Sequence, residues 1–369
     1  MAGRVLVFSE PFGMGHERAA QALINGMKVL EPGIQAFHTN SIQSTFPRGT
    51  RYMTALYLQA IDKFPRLWHR FYENGRRNRE NSTSKKLIFK LLAGAIKKAV
   101  TDCKPDAVVC THPFPASVIS RLKEQGLSVP LVGIITDYDV HAYWLDQNVD
   151  LYIVGHEALI DEFASFKFKP RCVSGEGIPI DPVFRCKPDK EYSRRKLGIA
   201  VNVPVILVGG GGWGLGNLDR IVELLVSIPG NYQIVVVTGT NNLLKSKLEA
   251  RFSRTKNVKI FGLVGNIHEF MSAADVMVTK PGGLTTSEAL AMGLPMVLFD
   301  VIYGQEEWNA RFLSGNEAAV KCRFIEEIPR QVTELLENAG EHRWMVERAM
   351  KIRKPNSGVD AARRILQLA

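Results

Sequence analysis

The sequence predicts two successive α/β domains, each built on a doubly wound parallel sheet, and three observations carry that prediction. The chain has 369 residues, more than one hydrophobic core usually serves. Short apolar runs alternate with helical stretches, the pattern of a parallel sheet covered on both faces. The alternation stops at 175–189, GEGIPIDPVFRCKPD, and then begins again. That Gly- and Pro-rich stretch reads as an interdomain linker, which bounds a first domain at 1–175 and a second at 190–340, followed by a tail at 341–369.

The first strand is RVLVFS; it enters a glycine turn, GMGH, and then a helix from Glu17 to Leu30 with Ala19, Leu23, Met27 and Leu30 on one face. Buried strands follow in DAVVCTH at 106–112, PLVGIITD at 130–137 and VDLYIVG at 149–155, with helices at 116–125 and 156–166. In the second domain the strands are PVILVGG, YQIVVVTG, VKIFGLV, DVMVTKPGG and PMVLFD. Helices are expected between them at 218–227, 242–252, 266–273 and 285–292. The tail has helical composition interrupted at Pro355, where the ring and the missing N–H break or kink a helix.

Composition is that of an ordinary folded protein, 46% hydrophobic and 23% charged. The opening residues lack the apolar stretch and cleavage site of a secretory signal, and no window offers about 18 uninterrupted apolar residues, so a cytoplasmic protein is expected. Five scattered cysteines with no CxxC pair point to free thiols rather than to a disulfide framework or a zinc site. The net charge of +10 is concentrated. Between Lys63 and Lys98 eleven Lys or Arg stand against Glu73 and Glu80, interleaved with Trp68, Phe71, Tyr72, Leu87 and Leu91. That mixture suits an anionic membrane surface, at about 1 kcal/mol per well-placed cation; a solvated basic loop and a nucleic-acid surface are the alternatives.

Three stretches of the second domain can carry chemistry. In KPGGLTTSEALAMGLP, 280–295, a strand delivers the chain to Gly282 and Gly283, and Thr285, Thr286 and Ser287 open a helix. Amides and dipole at such a start suit a diphosphate, and Glu288, one turn in, can accept both hydrogen bonds of a ribose diol; the alternative is a well-capped structural helix. The run GGGGWGLG, 209–216, resembles phosphate-cradling turns, although such glycines also mark crowded backbone. In IYGQEEWNA, 302–310, Gln305 and Glu306 follow a strand at the carboxyl edge of the sheet, where open α/β sheets bind ligands, and are candidates for sugar hydroxyls; Glu307 reads as a solvated helix start. In the first domain His16 can serve as a general base or acceptor ligand, or be a structural turn residue. TDYDVHAYW, 136–144, supplies Asp137, Asp139 and His141; its Asp-x-Asp pair fits a turn or helix cap better than a metal site.

Taken together, GMGH, THP at 111–113, TDYDVHAYW, GIPIDPVF, GLVGNI, TKPGGLTTSEALA and GQEEWNA closely resemble the monogalactosyldiacylglycerol synthases and processive diacylglycerol glucosyltransferases, relatives of the peptidoglycan transferase that glycosylates lipid I. The resemblance spans residues 4 to 340. It implies a GT-B fold of two Rossmann-like domains facing a cleft, an acceptor-binding first domain, a donor-binding second domain, a tail returning to the first, and inverting transfer of a hexose from a UDP-sugar to a lipid such as diacylglycerol. Carried over, the backbone at Leu263 and Val264 would hold uracil, Glu288 the ribose, and Gly282, Gly283, Thr285 and Thr286 the diphosphate. Gly212 and Gly214 would lie near the phosphates, Gln305 and Glu306 on the hexose. His16 or Asp137 would assist deprotonation of the acceptor. Glu10 and Pro11 depart from the plant pattern, in which an acidic residue followed by glycines precedes the turn. A helix start can stabilise a leaving diphosphate without a divalent cation, so no metal and no further cofactor is expected. The expected partners are a UDP-hexose, a lipid acceptor and, through residues 63–98, the inner face of the cell membrane, with no nucleic acid. The rival readings are a UDP-sugar 2-epimerase of the same fold and a non-catalytic nucleotide-sugar-binding adaptor.

Overall fold

The computed structural model describes residues 3–47, 49–50, 82–299 and 304–369. The part of the basic segment from 63 to 81 therefore lies outside the described residues. The chain separates into two compact units, one of Met1–Pro182, Ile302–Gln305 and Asn356–Ala369, the other of Val183–Val301 and Glu306–Pro355.

In the first unit the described elements run β1 (Arg4–Ser9), α1 (Met14–Leu30), β2 (Gln35–Asn40), α2 (Ser41–Thr45), α3 (Ser82–Cys103), β3 (Ala107–Cys110), α4 (Pro113–Glu124), β4 (Leu131–Ile134), β5 (Leu151–Ile153), α5 (Glu162–Ser165) and β6 (Val173–Ser174). The strands form one sheet in the order β2-β1-β3-β4-β5-β6, with parallel pairing throughout. β1, β3, β4 and β5 are buried on both faces apart from Arg4, whereas β2, at one edge, is largely open. This explains why the inner strands read as unbroken apolar runs rather than alternating ones.

Helix α1 begins at Met14, three residues before the expected start at Glu17. Gly13 precedes it with φ 120° and ψ 149°, a conformation closed to residues with a Cβ, so the turn can reverse sharply and start the helix at once. The expected helix at 156–166 is not continuous. It is a short 3-10 turn at Glu157–Leu159, capped by the His156 ring, followed by the single turn of α5.

The second unit contains α6 (Lys190–Lys196), β7 (Val205–Gly209), α7 (Leu218–Val226), β8 (Gln233–Val237), α8 (Asn242–Arg251), β9 (Val258–Phe261), α9 (Ile267–Ala273), β10 (Val276–Thr279), α10 (Gly283–Ala291), β11 (Met296–Leu298), α11 (Gln305–Gly315), β12 (Ala319–Lys321), α12 (Ile328–Glu337) and α13 (Ala339–Ile352). Its sheet order, β12-β11-β10-β7-β8-β9, is the dinucleotide-fold order with β7 as first strand. Ile206, Val208, Ile234, Val236, Val276, Val278 and Val297 supply the sheet side of its core, and Leu218, Ile221, Leu225, Val332 and Leu335 pack on it from α7 and α12. The buried Arg194 of α6 fixes the entry to the sheet. Its guanidinium donates to the carbonyls of Ala273, Val201 and Val203 and to Asp275, whose carboxylate also accepts the Val205 amide.

The tail divides at Pro355. α13 stays with the second unit, while α14 (Ser357–Leu366) lies in the first. There Ala361, Ala362 and Ile365 join the core formed by Val5, Val7, Leu23 and Met27. Gly26 of α1 and Gly358 of α14 meet so closely that a Cβ on Gly26 would stand 2.2 Å from the Gly358 carbonyl oxygen. The Ser357 hydroxyl donates to the Ile178 carbonyl and accepts from the Ile180 amide. No helix among the described residues is long and apolar enough to cross a membrane.

Candidate functional site

Both sheets reverse their winding at a pair of neighbouring strands, and part of the candidate set lies at the carboxyl ends of those pairs. In the second unit the pair is β7 and β10, in register from Val276 opposite Ile206 to Thr279 opposite Gly209. The glycine run therefore leaves β7 beside the point where Lys280, Pro281 and Gly282 leave β10. Such a switch point is where open α/β sheets bind ligands.

Helix α10 starts at Gly283, two residues before the hydroxyl cluster that was expected to open it, with Gly282 as a cap that offers no side chain. The helical ladder begins with the Thr286 amide donating to the Gly282 carbonyl at 3.0 Å, so the amides of Gly283, Leu284 and Thr285 precede it. Among the described residues, a Cβ on Gly282 would meet nothing within 4 Å. The Thr286 hydroxyl donates back to the carbonyls of Gly282 and Gly283, at 2.9 and 3.1 Å, and Ser287 donates to Gly283 at 2.7 Å. Thr286 is fully buried, with its proton committed inside the helix, whereas Thr285 is half-buried. Glu288 lies buried one turn on. At the other end of α10, Lys187 donates to the Met292 carbonyl at 2.7 Å and Arg353 to Ala291 at 3.2 Å. Cations at the carboxyl end complement the dipole.

Crowding accounts for three of the glycines in and beside the 209–216 run, the first being Gly210, where a Cβ would lie 2.1 Å from the Leu215 carbonyl oxygen. Gly214 has φ +58°, and a Cβ there would lie 2.0 Å from the Thr238 carbonyl oxygen; Gly239, also at φ +58°, would clash with the Gly212 carbonyl at 2.3 Å. The Thr240 amide donates to that same carbonyl of Gly212, at 2.9 Å, and the Asn241 amide group donates to Gly214. The run is thus pinned to the turn after β8. Leu263 and Val264 follow β9, the edge strand three positions from β10, about 14 Å away at the usual strand spacing; Leu263 is exposed.

Helix α11 begins at Gln305 and reaches the same turn through its first residues. Lys280 Nζ stands 3.4 Å from Glu306 Oε1, and the Asn309 amide donates to the Pro281 carbonyl at 3.0 Å. Glu307 faces elsewhere, in ion pairs with Arg311 and Lys321 that outweigh its burial and hold its carboxyl below the usual range.

In the first unit the switch point lies between β1 and β3, where Phe8 pairs with Cys110. His16, in the first turn of α1, extends over the end of β3: its Nδ1 lies 2.7 Å from the Thr111 carbonyl oxygen and 3.0 Å from Thr136 Oγ1. A carbonyl only accepts, so Nδ1 carries the hydrogen and Nε2 the lone pair. Burial pushes the imidazole down to about 4, so the ring is neutral at neutral pH. His112 packs edge-on against it at 4.8 Å between centroids. The His112 Nδ1 caps α4 by accepting the Phe114 amide, and burial with the neighbouring His16 holds His112 well below its usual range. Asp137 follows Thr136 directly. Farther along that segment Asp139 is buried, and the His141 ring caps the 3-10 turn Ala142–Trp144 through the Tyr143 amide. Glu10 is fully buried and accepts from the amides of Ser41 and Ile42 and from the Ser41 hydroxyl, which ties the end of β1 to α2; burial raises it to about 7 despite those bonds.

Residues 16–180 match the model for monogalactosyldiacylglycerol (MGDG) synthase, and residues 189–352 match that for glycosyl transferases group 1. A processive diacylglycerol beta-glucosyltransferase of Bacillus subtilis (strain 168) is 30% identical over 337 residues, 90% of this chain and 87% of that protein. The chain belongs to the monogalactosyldiacylglycerol synthase and processive diacylglycerol glucosyltransferase family.

Solved structures place this glycosyltransferase in the GT-B fold. The crystal structure of Acinetobacter baumannii MurG superposes with a TM-score of 0.64 at 16% identity, over 99% of both chains. A UDP-GlcNAc 2-epimerase from Neisseria meningitidis gives 0.59 at 14% identity, over 99% of this chain. The fold therefore does not by itself separate transferase from epimerase; the sequence match does.

Within the second unit of this transferase, Gly282, Gly283, Thr285, Glu288 and Glu306 gather around one turn, and Leu263 and Val264 stand apart at the sheet edge. In the first unit, His16 contacts Thr136, the residue that precedes Asp137. Residue-level reading passed over His112, Thr136, Lys280 and Asn309 as parts of these sites. A signal existed for His112, since an apolar strand ending in Thr-His-Pro places a histidine as cap and a proline at the first helical position.

Proposed function

We propose that the protein transfers a hexose from a UDP-sugar to the hydroxyl of a membrane lipid such as diacylglycerol, with inversion at the anomeric carbon. The observation that carries this is the start of α10, where three amides precede the helical ladder at the switch point of a sheet with the dinucleotide-fold order. Those of Gly283, Leu284 and Thr285, with the Thr285 hydroxyl, would hold the diphosphate and stabilise its charge as the bond to the anomeric carbon breaks. Glu288 would take the ribose, the Leu263–Val264 backbone the uracil, and Gln305 and Glu306 the hexose. Thr286 would contribute through the helix it stabilises. Gly214 would shape the loop that lies over the phosphates rather than touch them, and Gly212 would join the same loop.

On the acceptor side, the lipid hydroxyl would pass its proton to His16 Nε2 while its oxygen bonds to the anomeric carbon and UDP departs with the bonding electron pair. His16 is suited to this because its Nδ1–H is anchored, which aims Nε2. Asp137, adjacent to the anchoring Thr136, is the alternative proton acceptor. A helix start serves as electrophile without a divalent cation, so activity should survive exhaustive EDTA treatment; loss restored by added metal would contradict this.

Membrane contact would come through α3. Leu87 and Leu91, one turn apart, are exposed beside the exposed Lys86 and Lys90, an arrangement suited to an anionic lipid interface.

The test is incubation of the protein with individual UDP-hexoses and a total lipid extract, then identification of the product by mass and linkage. A β-linked hexosyl lipid is expected. An epimerised UDP-sugar with no lipid product would overturn the proposal in favour of the epimerase.

A further inference from the structure

The turn after β10 and the first turn of α11 are joined by two contacts made from one face of the helix. Glu306 and Asn309 are three positions apart and so lie side by side. One pairs with the Lys280 ammonium at 3.4 Å, the other donates to the Pro281 carbonyl at 3.0 Å. Lys280 itself is anchored at its main chain, where its carbonyl accepts the Gly282 amide at 2.9 Å and the Thr279 hydroxyl at 3.2 Å. Its side chain is almost wholly buried. An ammonium taken out of water is costly unless paired, and an apolar pair of similar volume would hold a turn at least as well. What the ion pair adds is direction, since it fixes where a carboxylate points.

We propose that Lys280 is a positioning residue for the donor's sugar: it orients the Glu306 carboxylate toward the hexose, while Asn309 independently holds the diphosphate turn. The division of labour rests on the donor-site reading above. UDP binding then depends on the turn, Glu288 and the Leu263–Val264 backbone and not on Lys280, whereas recognition of the hexose depends on Lys280 acting through Glu306.

The experiment compares Lys280→Met, Lys280→Arg, Glu306→Gln and the double variant Lys280→Met/Glu306→Gln with wild type. UDP affinity is measured by calorimetry, and kcat/KM is measured for the UDP-hexose that yields product. Lys280→Met should leave the UDP Kd within about twofold of wild type and lower kcat/KM for the UDP-hexose tenfold or more. It should cost nothing further in the Glu306→Gln background, and Lys280→Arg should recover part of the loss, which a merely structural role would not produce. Should Lys280→Met not fold, Lys280→Gln carries the same comparison. The inference is overturned if UDP itself weakens as much as the UDP-hexose, since the ammonium would then serve the diphosphate directly. It is equally overturned if the losses in the double variant multiply, or if turnover is unchanged. Wild-type protein that binds no UDP would bring down the donor-site reading, and this inference with it.

Discussion

His16 and Glu10 sit at the same sheet end and are perturbed in opposite directions by the same cause, removal from water. Replacing His16 by Gln should lower kcat by about 10²- to 10⁴-fold with UDP affinity unchanged by calorimetry; if His16→Gln stays active while Asp137→Asn is dead, the proton passes to Asp137. The two groups also oppose each other in stability. His16, at about 4 against an ordinary 6.5, contributes stability that is complete above pH 6.5 and is lost as pH falls toward 4. Glu10, at about 7 against 4.5, contributes stability that is complete below pH 4.5 and is lost as pH rises through 7. Each is on the order of 3 kcal/mol over its window. Glu10→Gln should therefore steepen the rise of Tm between pH 4.5 and 7 relative to wild type, measured by scanning calorimetry; an unaltered slope would show that Glu10 does not titrate in that window. The candidate residues were legible as types at strand ends, because chemistry there follows from sheet geometry. Their partners were not. That Thr286 turns inward while Thr285 does not, or that Lys280 reaches Glu306, depends on helix phase and on contacts between residues 26 positions apart, to which local periodicity is blind.

Among the elements, α1 and α14 cross at Gly26 and Gly358, and no side chain fits there. Gly26→Ala would place a methyl group 2.2 Å from a carbonyl oxygen, forcing the helices apart at a cost of about 1–3 kcal/mol. The expected result is a lower Tm for the first unit with UDP binding by the second intact; a Tm equal to wild type would mean that the crossing yields. Strands buried on both faces were legible as apolar runs, and the break at Pro355 as a helix stop. Helix starts were less so, because glycine caps at Gly13 and Gly282 leave no side-chain signature. The 156–166 stretch was misread because its composition is helical while its first turn is captured by the His156 ring.

For the molecule as a whole, two parallel sheets followed from two rounds of alternation, and the sheet orders were fixed only by tertiary pairing. The proposed membrane contact is tested at this scale as well. Substituting Lys86 and Lys90 by Glu should reduce sedimentation with anionic vesicles severalfold while leaving transfer to a detergent-solubilised acceptor near wild type; equal binding of the native protein to neutral and anionic vesicles would remove the electrostatic part of the reading. The placement of α14 has a bearing on how the chain is made. The first unit's interior includes Ala361, Ala362 and Ile365, so it cannot be completed until those residues leave the ribosome. The second unit ends at Pro355. The half that is translated later is thus the half that can finish first, and during synthesis the amino-terminal half waits, incomplete, for its last helix.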